Sequence, residues 1–505
     1  MPTITKNGKA PVKTAKLQQF IAGKWRDGTG KRRVSSTSPT DSRIVLAEGP
    51  GGCKEDALAA IAAAYAAFPA WKATPAPARA RVLDKVVKLA RERKEELGRI
   101  LAQEEGKILP EALGELEKGI NLLEWYAGEG LRFMGDTAPS ELPKNLLFTI
   151  REPLGPVSII TPWNFPWAIP CWKMAPALVA GNTVVFKPAS NTPLLAQELV
   201  KLFEEAGLPA GVLNIVVGAG SEIGDVLVED ERIQAVSFTG SNEIGVRVHT
   251  ICGKRGIKVT CEMGGKNPAI VWDDADLDLA LAGVLKGAFG STGQRCTATS
   301  RLIVQEKVYD EFVGKVVDAA KKMKLGDPLD ASTNMGPAVD EGQLEVDLQA
   351  IATAKKEGAR LLCGGERPMK DGLQHGWFVE PTVFDQVTPT MNLWKEEVFG
   401  PVLAVVRVKT YEEAVKAAND TRFGLTCAFY TQDITLAMRY VEDAEVGMVH
   451  INSPTIGGEA QVPFGGVKGS GVGDREMAKD GINFFSKPKT VFLDYTGQKR
   501  TSNIY

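Results

Sequence analysis

The stretch Val157-Ser158-Ile159-Ile160-Thr161-Pro162-Trp163-Asn164-Phe165-Pro166-Trp167 decides how the chain is read. Three β-branched residues and one serine run straight into a turn stiffened by two prolines. A short apolar run bounded in this way predicts a buried strand. The signature returns at 183–187, 213–217, 235–238 and 258–261, with a segment that can be helical between successive runs. Strands alternating with helical crossovers predict a parallel sheet covered on both faces, an open doubly wound α/β layer.

Upstream lie amphipathic helical patterns at 55–71, 78–104 and 111–131, preceded by a short strand at 20–25 and a polar, turn-rich segment at 27–43. Residues 1–18 are polar and lysine-rich, lack the apolar core of a secretory signal, and predict a mobile tail. The extended run 145–151 separates the helices from the first α/β layer. After Gly264-Gly265 a second series, at 268–272, 301–304, 402–406, 426–430 and 448–451, predicts a second α/β domain, with long helices at 307–323 and 343–356. The last apolar run, 490–495, stands alone and must pair with some edge, for which another subunit is a candidate.

A chain of 505 residues with net charge −2 has room for two or three domains and no basic excess to attract nucleic acid or an anionic membrane. No apolar run approaches a membrane span. Seven cysteines without a C-x-x-C pair suit neither a disulfide framework nor a structural zinc site, which predicts a reducing cytoplasm and no metal. With three histidines in the chain, a base acting beside a cysteine is expected to be a carboxylate.

The candidate nucleophile is Cys296, in Gly293-Gln294-Arg295-Cys296-Thr297-Ala298, where a helical run ends in a turn. A cysteine beside an arginine and turn N–H groups is placed to form a thiolate; the alternative is an ordinary buried thiol. Asn164, held by prolines, can aim its amide at developing negative charge. Glu262, in Glu262-Met263-Gly264-Gly265, closes the fifth strand at the junction of the two series, where clefts form. Lys187, before Pro188, ends the second strand at the ligand-binding edge of a parallel sheet. Phe238-Thr239-Gly240-Ser241 opens a helix whose free N–H groups can bind phosphate, although a plain strand-to-helix turn reads equally well. Gly218-Ala219-Gly220-Ser221-Glu222-Ile223-Gly224 has one residue too many for the dinucleotide fingerprint.

These motifs, together with Glu397-Val398-Phe399-Gly400-Pro401 and Pro463-Phe464-Gly465-Gly466-Val467-Lys468, resemble the aldehyde dehydrogenase superfamily from about residue 20 to 495. The resemblance implies a nucleotide-binding domain (19–131 and 155–261), a catalytic domain (262–472) and a small β oligomerisation element (132–154 and 473–505) that makes a homodimer or homotetramer. It implies that Cys296 attacks an aldehyde, that Asn164 and the Cys296 N–H hold the oxyanion, that Lys187 belongs to the catalytic set, and that Glu262 activates the water that hydrolyses the thioester. Nucleotide contacts are implied for Thr161, Pro162, Trp163, Lys187, Ser190, Gly220, Gly240, Ser241, Glu397 and Phe399. Strict NAD users of the family commonly carry glutamate where this chain has Ser190, so NADP is expected, with NAD as a second cofactor.

Phe165, Ile169, Trp172, Thr297 and Phe464 are expected around the aldehyde. Arg295, with Thr297-Ala298 and Ser453-Pro454-Thr455-Ile456-Gly457-Gly458-Glu459, resembles semialdehyde-oxidising members that act on 2,5-dioxopentanoate. Arginine before the cysteine also occurs in non-phosphorylating glyceraldehyde-3-phosphate enzymes, and a broad-specificity aldehyde dehydrogenase is the other alternative. Arg295 is expected to meet a distal anion, to tune the thiol, or to pair structurally.

Overall fold

In the computed structural model, which describes residues 14–499, the opening stretch forms the strand Pro156–Ile160 inside an eight-stranded sheet. Thr183–Lys187 and Leu213–Ile215 extend the sheet on one side of it, Ala235–Thr239 and Lys258–Glu262 on the other, and all five strands are parallel. Every residue of Thr183–Lys187 and Ala235–Thr239 is buried, as a sheet covered by helices on both faces requires. The chain builds outward from Pro156–Ile160 and then returns to its other side, so the strand order reverses between this strand and Ala235–Thr239. The turns after both strands, Thr161-Pro162-Trp163-Asn164 and Gly240-Ser241, therefore flank a crevice at the carboxyl edge, where doubly wound sheets bind ligands.

The second series forms a seven-stranded sheet in the order Arg360–Cys363, Thr382–Asp385, Val402–Val408, Thr299–Gln305, Asn267–Val271, Thr426–Tyr430 and Met448–Ile451, antiparallel only at the Arg360–Cys363 edge. The two strands before Val402–Val408 escape the sequence reading because both are four residues long and the first is half-exposed, so neither shows a strong apolar run. A third sheet of three antiparallel strands joins Ser486–Asp494, Asn145–Pro153 and Thr137–Ala138.

Several expectations change. Residues 1–13 of the expected tail lie outside the described residues, but Ala15–Lys16 pairs in parallel with Val45–Pro50 and Leu17 is buried, so 14–18 is structured. The strand expected at 20–25 is a hairpin, Gln19–Ile21 with Lys24–Arg26, because Ala22 and Gly23 both take left-handed backbone and close a two-residue turn. The long helix expected at 78–104 is two helices, Ala76–Glu92 and Lys94–Glu105, interrupted at Arg93. The run at 490–495 is not orphaned: its strand pairs along nine residues with Asn145–Pro153 of the same chain.

The expected segment boundaries also shift. Gly471–Val472, assigned to the catalytic segment, pairs with Lys258–Glu262 in the first sheet. Ala478–Phe484, assigned to the oligomerisation element, packs on the helix Ala168–Ala180, with Ile482 and Phe484 in that helix's core. Long-range packing, not local pattern, sets both.

Candidate active site

The nucleophile segment begins where the helix Leu277–Phe289 stops at Gly290. A 3-10 turn, Gly290–Gly293, then reverses the chain through three left-handed residues, Ser291, Thr292 and Gly293, at φ 49°, 58° and 68°. Non-glycine residues in this region cost about 1–3 kcal/mol each and persist only when surrounding bonds hold them. Those bonds are present. Ser291 N–H donates to both oxygens of Glu111 at 2.9 and 3.0 Å, Thr292 Oγ1 to the Gly336 carbonyl at 3.0 Å, and Val339 N–H to Gln294 Oε1 at 2.9 Å. At 293 only glycine fits, because a Cβ would collide with the Gly400 carbonyl.

The turn delivers Cys296 half-buried against Phe165 and the first core. Its carbonyl accepts a bond from Asn267 Nδ2 at 2.8 Å. Burial, then Glu397 and Glu262, push the thiol up to about 12, against the opposing pull of Lys118 and the Thr297 N–H. Free Cys296 is therefore a thiol at neutral pH. The cation that acts on it is Lys118, and the Arg295 guanidinium lies 5.8 Å from the Phe165 ring centroid. Arg295 pairs with Glu111 at 3.0 Å and bonds Ser291 Oγ at 2.8 Å, with its side chain 10% exposed. This pair is compatible with the structural role considered for Arg295 and leaves its roles toward the thiol and a distal anion open.

Asn164 is buried and donates from Nδ2 to the Gln294 carbonyl at 3.1 Å, which brings the first-sheet turn onto the cysteine turn. Its own carbonyl accepts from Lys107 Nζ at 2.7 Å. Glu262 is buried, with Oε2 unpartnered and Oε1 2.6 Å from where a Cβ on Gly465 would stand. Burial and the neighbouring Glu476 hold its pKa well above the ordinary carboxylate range, against Lys173 and Arg475. Lys173 and Glu476 form a buried ion pair, and Glu476 also accepts from Trp172 Nε1 at 2.7 Å and Ser237 Oγ at 3.0 Å.

Trp172 and Phe464 stack with centroids 5.3 Å apart, and the Lys118 ammonium lies over both rings, 5.2 and 5.7 Å from their centroids. Phe165 is beside them under the Lys107 ammonium, 4.1 Å from its ring centroid. Thr297 is buried, and its carbonyl accepts from Thr455 Oγ1 at 2.7 Å. Ile169, 1% exposed, lies in the same core as Trp172 and Phe464. Lys118 also lines a cleft of about 770 Å³, together with Gly114, Asn121, Trp125, Gly458 and Gln461 among others. Glu117 and Glu124 in that cleft are paired with Lys94 and Arg91. Lys118 has no carboxylate partner among the described residues.

On the crevice side, the residues fit an anionic dinucleotide. The helices Gly220–Glu229 and Asn242–Arg255 start without a side-chain cap. Lys187 is buried at the strand end with one hydrogen-bond partner, the Pro188 carbonyl at 3.2 Å, and burial lowers its pKa to about 8. Ser190 Oγ is 3.4 Å from the Gly218 carbonyl, and Thr239 Oγ1 is buried without a partner. Thr161 N–H donates to the Lys187 carbonyl at 3.1 Å, and Trp163, after Pro162, meets Phe399 edge-on at 5.4 Å. Glu397 is half-buried across the junction, accepts from Gly265 N–H at 2.8 Å, and has its pKa raised to about 7 by desolvation.

The model of the family described as "Aldehyde dehydrogenase family" matches residues 25–491. The chain belongs to the aldehyde dehydrogenase family. The α-ketoglutaric semialdehyde dehydrogenase of Bacillus subtilis is 44% identical over 474 residues, 94% of this chain and 97% of the relative. The 2,5-dioxopentanoate dehydrogenase of Saccharolobus solfataricus is 44% identical over 481 residues, 94% of this chain and 99% of that one. Among solved structures, the betaine aldehyde dehydrogenase of Staphylococcus aureus in complex with NAD+ superimposes with TM-score 0.93 at 36% identity, covering 96% of this chain and 95% of its own. The activity is NAD(P)-dependent aldehyde oxidation.

Sequence reasoning missed Lys107, Glu111, Glu115, Lys118, Lys173 and Glu476. A signal exists for most of this dehydrogenase's hidden set. Residues 111, 115 and 118 recur at helical spacing on a helix with a large apolar face, and Lys173 interrupts the helix Ala168–Ala180, which is buried at every position. Charged groups on a buried face have to be paired or functional.

Proposed function

We propose that this dehydrogenase oxidises a carboxylate-bearing semialdehyde, of which 2,5-dioxopentanoate is the model, to the free acid. The observation that carries this reading is Lys118, an ammonium without a carboxylate partner that lies over Trp172 and Phe464 and acts electrostatically on Cys296. A substrate whose aldehyde carbon reaches the sulfur can extend its distal carboxylate toward this cation. The two semialdehyde-oxidising relatives support the same substrate class. Arg295 is already paired with Glu111, so this reading assigns that anion to Lys118.

In the mechanism we infer, the Cys296 thiol loses its proton to solvent water, the Lys118 ammonium favouring the thiolate, and the sulfur then attacks the aldehyde carbon. The Asn164 side chain and the Cys296 N–H donate to the oxyanion, where fixed donors act before charge develops. The nicotinamide, when bound, accepts the hydride. Glu262, kept basic by its buried site, takes a proton from the water that hydrolyses the thioester. Lys187, Ser190, Gly220, Gly240 and Ser241 would hold the nucleotide, with Thr161, Pro162, Trp163, Glu397 and Phe399 as further contacts. Ser190 presents a neutral hydroxyl, with no carboxylate of its own to repel a 2′-phosphate, which favours NADP while allowing NAD.

The same reading places the enzyme in the cytoplasm; all seven cysteines are free thiols, and among the described residues no helix is long and apolar enough to cross a membrane. The three-stranded sheet leaves Leu146, Ile150 and Leu493 exposed on one face and Phe492, 72% exposed, on the other, apolar surface suited to homodimer or homotetramer assembly. The deciding experiment compares kcat/KM for 2,5-dioxopentanoate, glyceraldehyde 3-phosphate and an uncharged aldehyde of matched length, with Cys296→Ala as the control. Preference for the semialdehyde is expected. Equal kcat/KM for the uncharged aldehyde, or preference for the triose phosphate, would overturn the assignment.

A further inference from the structure

We infer that Glu111 and Glu115, one turn apart on the helix Leu109–Glu129, are positioning residues that set the distance between the two oxyanion donors, the Asn164 side chain and the Cys296 backbone N–H. The inference rests on the roles proposed above for Asn164 and Cys296. Those donors sit on turns that belong to different sheets, and no strand pairing joins the two turns. Something else has to fix their separation, because misplacing a reacting group by about 1 Å can cost on the order of 100-fold in rate.

Residues four apart on a helix share a face, so the two carboxylates reach the same side. Glu115 is buried and holds the Asn164 turn from both flanks. Its Oε1 accepts the N–H groups of Trp167 and Ala168 at 2.9 and 3.2 Å, and its Oε2 receives Lys107 Nζ at 2.6 Å. Lys107 passes its other bond to the Asn164 carbonyl at 2.7 Å. Glu111 holds the cysteine turn at its first left-handed residue, accepting Ser291 N–H at 2.9 and 3.0 Å and Arg295 at 3.0 Å. The bond from Asn164 Nδ2 to the Gln294 carbonyl at 3.1 Å joins the two held turns. A buried ammonium–carboxylate pair adds little net stability once desolvation is counted. What this one supplies is direction: its bonds converge on the turn that carries Asn164.

The experiment is a double-mutant cycle on the full-length enzyme with saturating NADP and a saturating uncharged aldehyde, so that recognition of a distal carboxylate is not measured. Glu115→Gln is expected to lower kcat about 30- to 100-fold, with the KM for NADP close to wild type and a lowered thermal midpoint, since the change leaves the buried Lys107 ammonium without that carboxylate. In an Asn164→Ala background the same change should lower kcat less than about threefold, since the group it positions is gone. Glu115→Asp, which keeps the charge beside Lys107 but shortens the reach to the Trp167 and Ala168 N–H groups, runs the same cycle if Glu115→Gln does not fold. Equal fold-losses in both backgrounds, or an unchanged kcat in the single variant, would overturn the inference alone. A neutral Asn164→Ala would overturn the oxyanion role together with it.

Discussion

Replacing Lys118 by methionine keeps a long side chain over Trp172 and Phe464 but removes the cation. Two effects of this change have to be separated. The ammonium lowers the pKa of the Cys296 thiol, so its loss slows attack on every aldehyde alike. If it also contacts the substrate carboxylate, the loss for a semialdehyde is larger. A charge-assisted hydrogen bond contributes about 1.5–3 kcal/mol net, and about 2 kcal/mol corresponds to roughly 30-fold. The measured quantity is the ratio of kcat/KM for 2,5-dioxopentanoate to that for an uncharged aldehyde of equal length, followed by nicotinamide absorbance. In Lys118→Met this ratio should fall about 30-fold, and Lys118→Arg should restore most of it. Burial lowers the Lys118 pKa from the ordinary lysine value. The cation is therefore lost as pH rises through that lowered value, and the semialdehyde KM should climb there while the uncharged aldehyde KM does not. An unchanged substrate ratio in Lys118→Met would refute the assignment of the distal carboxylate to this residue.

Glu262→Gln should leave a single burst of nicotinamide reduction and then stall, with steady-state turnover down about 10²- to 10⁴-fold; full steady-state turnover would remove Glu262 from the hydrolytic step. Since its pKa is raised by burial and by Glu476, hydrolysis in the wild type should slow as pH falls through that raised value, above the usual carboxylate range, a profile read from steady-state rates against burst amplitude. Ser190→Glu should cut kcat/KM for NADP about 100-fold or more through charge repulsion while sparing NAD, and intact NADP use would discard the role of Ser190. Gly293→Ala should lose about 2 kcal/mol of stability in denaturant titrations, from left-handed backbone and the Gly400 carbonyl in the way; a variant as stable as wild type would contradict the geometry of the cysteine turn.

Local chemistry was enough to read the doubly wound layers, since buried parallel strands are short β-branched runs and turns require proline and glycine. It also marked Cys296, Asn164, Lys187 and Glu262, because each stands at a strand end or turn with a recognisable neighbour pattern. It could not place charges. Arg295 looked like the cation for the thiol or the substrate because it is adjacent in sequence, yet its partner Glu111 comes from 184 residues away. Lys118 and Glu115 sit inside a helical pattern that reads as ordinary amphipathy, and become site residues only when the helix is laid across two turns from different sheets. The run at 490–495 looked unpaired for the same reason: its partner strand lies more than 300 residues earlier. Sequence alone, with the resemblance it carries, singled out the atoms proposed to do the chemistry. Tertiary structure decided which charges face them, because electrostatic and hydrogen-bonding partners are set by distance in space, and that distance is fixed by packing between elements remote along the chain.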